Sequence, residues 1–133
     1  MTRTHDPHRR GGLAALALSA DALMATAWPD DQTLARQVRA LGHTGDVLVL
    51  ISLDGQEPAL LQAVQAAHER EMTVLALTGG HGGAVGKQLR ETDVHICVPH
   101  DRTARIQEVH LLTIHCLCDG VDTLLLGSQE GNT

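Results

Sequence analysis

Four short apolar runs, residues 13–19, 47–52, 72–77 and 94–98, alternate with stretches whose apolar residues recur at helical spacing. That alternation restricts the chain to one broad architecture. Glycine, proline or charged residues bound the runs, as they bound buried strands. Between them Leu34, Val38 and Leu41 make one helical stripe, and Leu60, Leu61, Val64 and Ala67 make another. No two-residue turn signal links one run to the next, so the strands are expected to lie parallel, with the helices as right-handed crossovers.

Local signals refine this order. Asp30 or Asp31 is placed to cap the first helix and Gly42 to end it. The run 47–52 is continuously apolar and predicts a strand covered on both faces. After a turn over residues 53–57, Pro58 falls at the first helical position. A glycine-rich turn over 78–83, a short helix over 84–90 and a strand over 94–98 follow. From Thr103 to Leu126 only Gly120 breaks a helical pattern that is apolar over most of its circumference. Such a helix must be buried, and a chain of 133 residues can seldom bury one alone, so it is expected to pack against other chains.

Composition narrows the function. The apolar 43% is nearly all Ala, Leu and Val, with one Trp and no Phe or Tyr, which leaves no aromatic platform for bases. A formal net charge of -6, with the basic cluster Arg3, Arg9 and Arg10 confined to a polar leader, argues against direct nucleic-acid binding. Cys97, Cys116 and Cys118 have neither disulfide nor zinc-module spacing and read as reduced core thiols of a cytoplasmic protein. Arg9-Arg10 followed by an apolar run and Ala25-Thr26-Ala27 superficially suggests an export signal, but Asp21 interrupts it. No run of about 20 uninterrupted apolar residues suggests a membrane span. Residues 1–12 and 128–133 read as flexible tails around one domain over 13–127.

Three stretches carry a family resemblance: Gln37-Val38-Arg39-Ala40-Leu41-Gly42 with Gly45-Asp46-Val47-Leu48, then Leu75-Ala76-Leu77-Thr78-Gly79, then Arg105-Ile106-Gln107-Glu108-Val109-His110. The last is the most specific. Together they resemble the SIS-domain (sugar isomerase) family of phosphoheptose isomerases. The continuation Leu111 to Asp119 looks most like the branch that associates with the replication initiator DnaA. The resemblance implies a flavodoxin-like α/β parallel sheet flanked by helices, a phosphosugar site at the carboxyl ends of the strands, and assembly as a dimer or tetramer. Residues 13–21 would be the family's second strand. The first strand, its glycine- and serine-rich loop and a helix bearing an acidic catalytic residue have no counterpart before Gly12. In that fold the first strand lies between the second and third, so the second and third would either pair directly or leave an open edge.

The resemblance also implies site residues. Ser52-Leu53-Asp54-Gly55-Gln56-Glu57 stands where the family has a Ser-Thr-Ser-Gly-Asn-Ser type loop, and only Ser52 and Gly55 keep the phosphosugar-binding pattern. Asp54 and Glu57 bring carboxylates to the place of the phosphate, where a like-charge pair at about 4 Å costs roughly 4 kcal/mol at an effective dielectric of 20. Otherwise the loop is a plain strand-to-helix turn with Glu57 favourable at the helix dipole. The glycines at 79, 80, 82 and 83 read as a permissive turn, since no lysine and hydroxyl follow at P-loop spacing.

Gln107 and His115 match isomerase positions near the reacting carbon or a bound zinc ion, His115 as general acid or base. Eight residues apart on a helix, they are separated by about 12 Å of rise and roughly 80°. They would therefore serve one site only if neighbouring chains contribute. Glu108 and His110 read as packing or interface groups, and His95 with His100 as an opportunistic metal pair. Because the loop is altered and the acidic partner absent, the chain is expected to be a non-catalytic oligomer that binds DnaA and does not turn over sugar. The alternatives are an isomerase of sedoheptulose 7-phosphate, or an inactive truncated member.

Overall fold

The computed structural model describes residues 12–18 and 30–130. The expected amino-terminal tail up to residue 11, the Ala25-Thr26-Ala27 motif and residues 131–133 lie outside the described residues. The chain divides into two compact units, one over Leu18–His110 and the other from Met1–Ala17 with Leu111–Thr133.

In the first unit a 3-10 turn, Asp30–Gln32, leads into α1, Thr33–Leu41. The cap position is Gln32, with no side-chain hydrogen bond, so neither aspartate caps the helix as expected. Gly42 does end it, its N–H donating to Val38 O at 2.8 Å. Then come β1 (Val47–Ile51), α2 (Pro58–Glu69, with Pro58 in its first turn), β2 (Thr73–Gly79), α3 (Gly83–Gln88), β3 (Val94–Val98) and α4 (Thr103–Glu130). The sheet has three strands in the order β1-β2-β3, all parallel, with Val47 opposite Thr73 and Leu75 opposite Val94.

Alternation along the strands decides where the core sits. Leu50, Val74 and Ala76 meet Ala35 and Val38 of α1 and Ala63, Val64, Ala66 and Ala67 of α2 in one cluster. The run of alanines lets α2 lie close to its neighbours. At the rim Arg39 reaches Glu69 at 3.0 Å, and the Arg70 guanidinium donates twice to Gly42 O, at 3.1 and 3.2 Å.

Two expectations for the strands fail. Residues 12–18 form no strand, and residues 12–17 are exposed, so the fourth parallel strand is missing from the described sheet. Of the two outcomes expected, the second holds among the described residues: β1 pairs on one side only and is an edge strand. For the same reason β1 is not covered on both faces, and Val47, Val49 and Ile51 on the outer face are each at least half exposed.

Helix α4 also departs from expectation. It runs through Gly120 without a break, because nothing there requires the conformations that only glycine adopts. From Leu111 onward most of it is exposed, including Leu112, Leu117, Val121, Leu124 and Leu125. Over Thr103–Gly127 it is long and apolar enough to cross a membrane by length and composition, although no uninterrupted apolar run marks it. Cys116 and Cys118 on it are exposed and Cys97 is half-buried, so the three cysteines are not core thiols.

Candidate functional site

The loops that leave the carboxyl ends of β1 and β2 are packed backbone to backbone. Val85 N–H donates to Gly55 O at 2.9 Å, and Ala84 N–H donates to Gln56 Oε1 at 3.2 Å. Gly55 has φ 71°, and a Cβ there would strike the Gly82 carbonyl. Only glycine fits, on two independent counts.

Within the first loop Ser52 is 3% exposed and its hydroxyl is used twice. It accepts the Gly55 N–H at 2.7 Å and donates to Glu57 Oε1 at 2.7 Å. The two groups expected to receive a phosphosugar are therefore tied to each other and to a carboxylate of the same loop. Asp54 Oδ1 accepts the Gln56 N–H at 3.0 Å. Burial pushes the Glu57 carboxyl above its ordinary value, and the neighbouring Asp54 adds to that, against the Ser52 hydrogen bond, which holds it down. Glu57 is thus more than a favourable charge at a helix start.

Gln107 and His115 both stand exposed on α4. Among the described residues no three His, Cys, Asp or Glu side chains come together to hold a metal ion. Along α4 Gln107 and His115 are separated by eight residues, about 12 Å of rise. His95 and His100 each spend one ring nitrogen on a neighbour within the protein. His95 Nε2 lies 2.6 Å from Thr78 Oγ1, and His100 Nδ1 accepts the Arg102 N–H at 2.9 Å.

His110, read as a packing group, is one: it is 3% exposed and its Nε2 lies 2.7 Å from Thr78 O. Glu108 is exposed and pairs with Arg105 at 2.8 Å. The glycine-rich turn has positive φ at Gly80, Gly82 and Gly83 and is held by Gly80 N–H to His100 O at 3.2 Å, as a permissive turn requires.

A polar cluster at the other end of the strands carried no sequence signal. Asp93 Oδ2 lies 2.7 Å from His68 Nε2, with side-chain exposures of 1% and 7%. Beside it a cleft of about 380 Å³ is lined by Gln65, His68, Glu69, Gln88 and Arg90. It contains none of the site residues expected from the sequence. The partners are 25 positions apart, and no periodicity links them.

A three-stranded parallel sheet flanked by helices and followed by a long carboxy-terminal helix defines an α/β domain. Comparison with known proteins makes this particular. A family model described as "SIS domain" matches residues 4–79. The chain belongs to the SIS-domain family. It is 59% identical over 125 residues to a phosphoheptose isomerase of Azoarcus sp. (strain BH72), covering 91% of this chain and 64% of that protein. It is 57% identical to the phosphoheptose isomerase of Methylibium petroleiphilum, with 91% and 62% covered.

Solved structures agree on the fold. The phosphoheptose isomerase of Neisseria gonorrhoeae superposes with TM-score 0.71 at 51% identity, covering 74% of this chain and 56% of that one. The enzyme of Francisella tularensis gives 0.74 at 43% identity, covering 77% and 58%. The chain therefore spans less than two thirds of each of these relatives. All four carry the isomerase's name and none that of the initiator-associating branch.

Proposed function

We propose that the chain is part of a cytoplasmic phosphoheptose isomerase that interconverts sedoheptulose 7-phosphate and its aldose isomer as a homo-oligomer. The observation that carries this reading is the 59% identity to a phosphoheptose isomerase; Gln107 and His115, which the family resemblance assigns to the site, both stand exposed on α4. Aldose–ketose isomerisation moves a proton between adjacent carbons through an enediol. A side chain that can both take up and release a proton suits that transfer, and His115 is assigned it. Gln107 is assigned polar contact with the reacting oxygens. Their separation on the helix requires a second copy to complete each site, so oligomerisation and activity go together.

Glu57 shapes substrate binding in this reading. While it holds Ser52, a phosphate meets a carboxylate in place of a hydroxyl, and the expected result is a high KM. A second reading, a non-catalytic oligomer that binds DnaA, is favoured by that same Glu57–Ser52 contact.

The deciding measurement is turnover of sedoheptulose 7-phosphate by the assembled protein, followed by NMR. The isomerase reading expects turnover that falls by about 10²–10⁴-fold in His115→Ala. It also expects a lower KM in Glu57→Ser. An assembled oligomer with no turnover in either the unmutated or the Glu57→Ser protein would leave the second reading in place.

A further inference from the structure

At the carboxyl end of β2, one threonine meets two histidines. Thr78 is fully buried, with its hydroxyl 2.6 Å from His95 Nε2 and its carbonyl 2.7 Å from His110 Nε2. A carbonyl only accepts, so His110 carries a proton on Nε2. Its other ring nitrogen, Nδ1, is buried with no hydrogen-bond partner among the described residues. One turn earlier, Ile106 is 4% exposed and packs on Gly79, where a Cβ would come within 2.6 Å of Ile106 Cδ1. Residues four apart share a helix face, so Ile106 and His110 are two fixed points on the inner face of α4. Gln107 follows Ile106 by about 100° of rotation and is exposed.

We propose that His110 is a positioning residue: through its Nε2–H it clamps the first turns of α4 to the Thr78 carbonyl, and so sets the direction in which Gln107 is presented. The role of Gln107 rests on the isomerase reading; the clamp does not. Apolar contact at Ile106 is non-directional and tolerates rotation of the helix, whereas a hydrogen bond has a preferred angle and does not. Leucine would fill a similar volume and would spare the chain a buried, unpaired Nδ1, yet it would offer the Thr78 carbonyl no donor. Filling space is therefore not what the imidazole adds.

Two measurements test the clamp. In two-bond ¹H–¹⁵N spectra of the histidine rings, the unmutated chain is expected to show His110 protonated at Nε2 and not at Nδ1. In hydrogen exchange, the amides of the first turns of α4 are expected to lose about tenfold protection in His110→Leu. His110→Gln, whose side-chain amide can donate from near the Nε2 position, is expected to restore most of it. An Nδ1–H tautomer, or equal exchange in the leucine and glutamine variants, overturns the proposal. In the isomerase assay kcat is expected to follow the same order, with KM little changed. No turnover in any of the three proteins would sink the isomerase reading and leave the exchange pattern to decide the clamp.

Discussion

Asp93 shows how much a single side chain can hold. Its carboxylate accepts N–H groups from Val74 and Arg90, each at 2.8 Å, and faces His68 Nε2 at 2.7 Å. Burial pushes this carboxyl up, but the donors from Arg90, Val74 and His68 outweigh it and hold the group below its ordinary 3.8. A folded-state value below the unfolded one means stability that is present above pH 3.8 and lost as the pH falls through the folded value. Asp93→Asn should lower stability at neutral pH by about 2–3 kcal/mol, since it loses charge-assisted hydrogen bonds and turns an amide toward backbone donors. It should also flatten the acid limb of the stability curve. Urea unfolding at neutral pH and through the acid range checks both; an unchanged acid limb would show that the donors do not bias Asp93. None of this was legible beforehand, because His68 and Asp93 belong to no shared stripe. Ser52 and Gly55 were legible as a loop, but their mutual bond and the grip of Glu57 depend on how that loop closes.

At the scale of elements, the glycine turns decide whether the loops after β1 and β2 can meet. Gly55→Ala would force a Cβ into the Gly82 carbonyl at a residue with φ 71°. The left-handed conformation alone costs roughly 1–2 kcal/mol for an alanine, and the backbone clash adds to it. Thermal unfolding should show a clearly lower Tm for Gly55→Ala and almost none of this loss for Gly120→Ala, where a Cβ has open space around it. Equal losses at the two positions would mean that the loop contact does not matter to stability. The strands and helices themselves followed from hydrophobic period, and β1, α2 and β3 lie within a residue or two of their expected bounds. The strand expected over 13–19 failed because an apolar run specifies burial, not a partner, and a ladder needs a neighbouring strand in register.

At the scale of the whole molecule, exposed apolar surface calls for a partner. Helix α4 exposes Leu112, Leu117, Leu124 and Leu125, and the outer face of β1 exposes Val47, Val49 and Ile51. Surfaces of this kind mark contacts between chains. The unmutated chain should sediment as a dimer or tetramer at micromolar concentration, and Leu117→Asp should shift it toward monomer while circular dichroism stays unchanged. A well-folded monomer without the mutation would refute assembly through α4. It would also remove the composite site on which the isomerase reading depends.

Sequence alone determined the parallel α/β order, the long final helix and the family, because short-range period and residue identity encode them. It also placed Gln107 and His115 eight residues apart on one helix. Tertiary structure decided which strand became the open edge, that Glu57 takes the Ser52 hydroxyl, and that His110 hangs α4 on the end of β2. Each of these is a contact between atoms distant along the chain or across a closed loop. Their distances follow from how the elements pack, and no local pattern of residues records that.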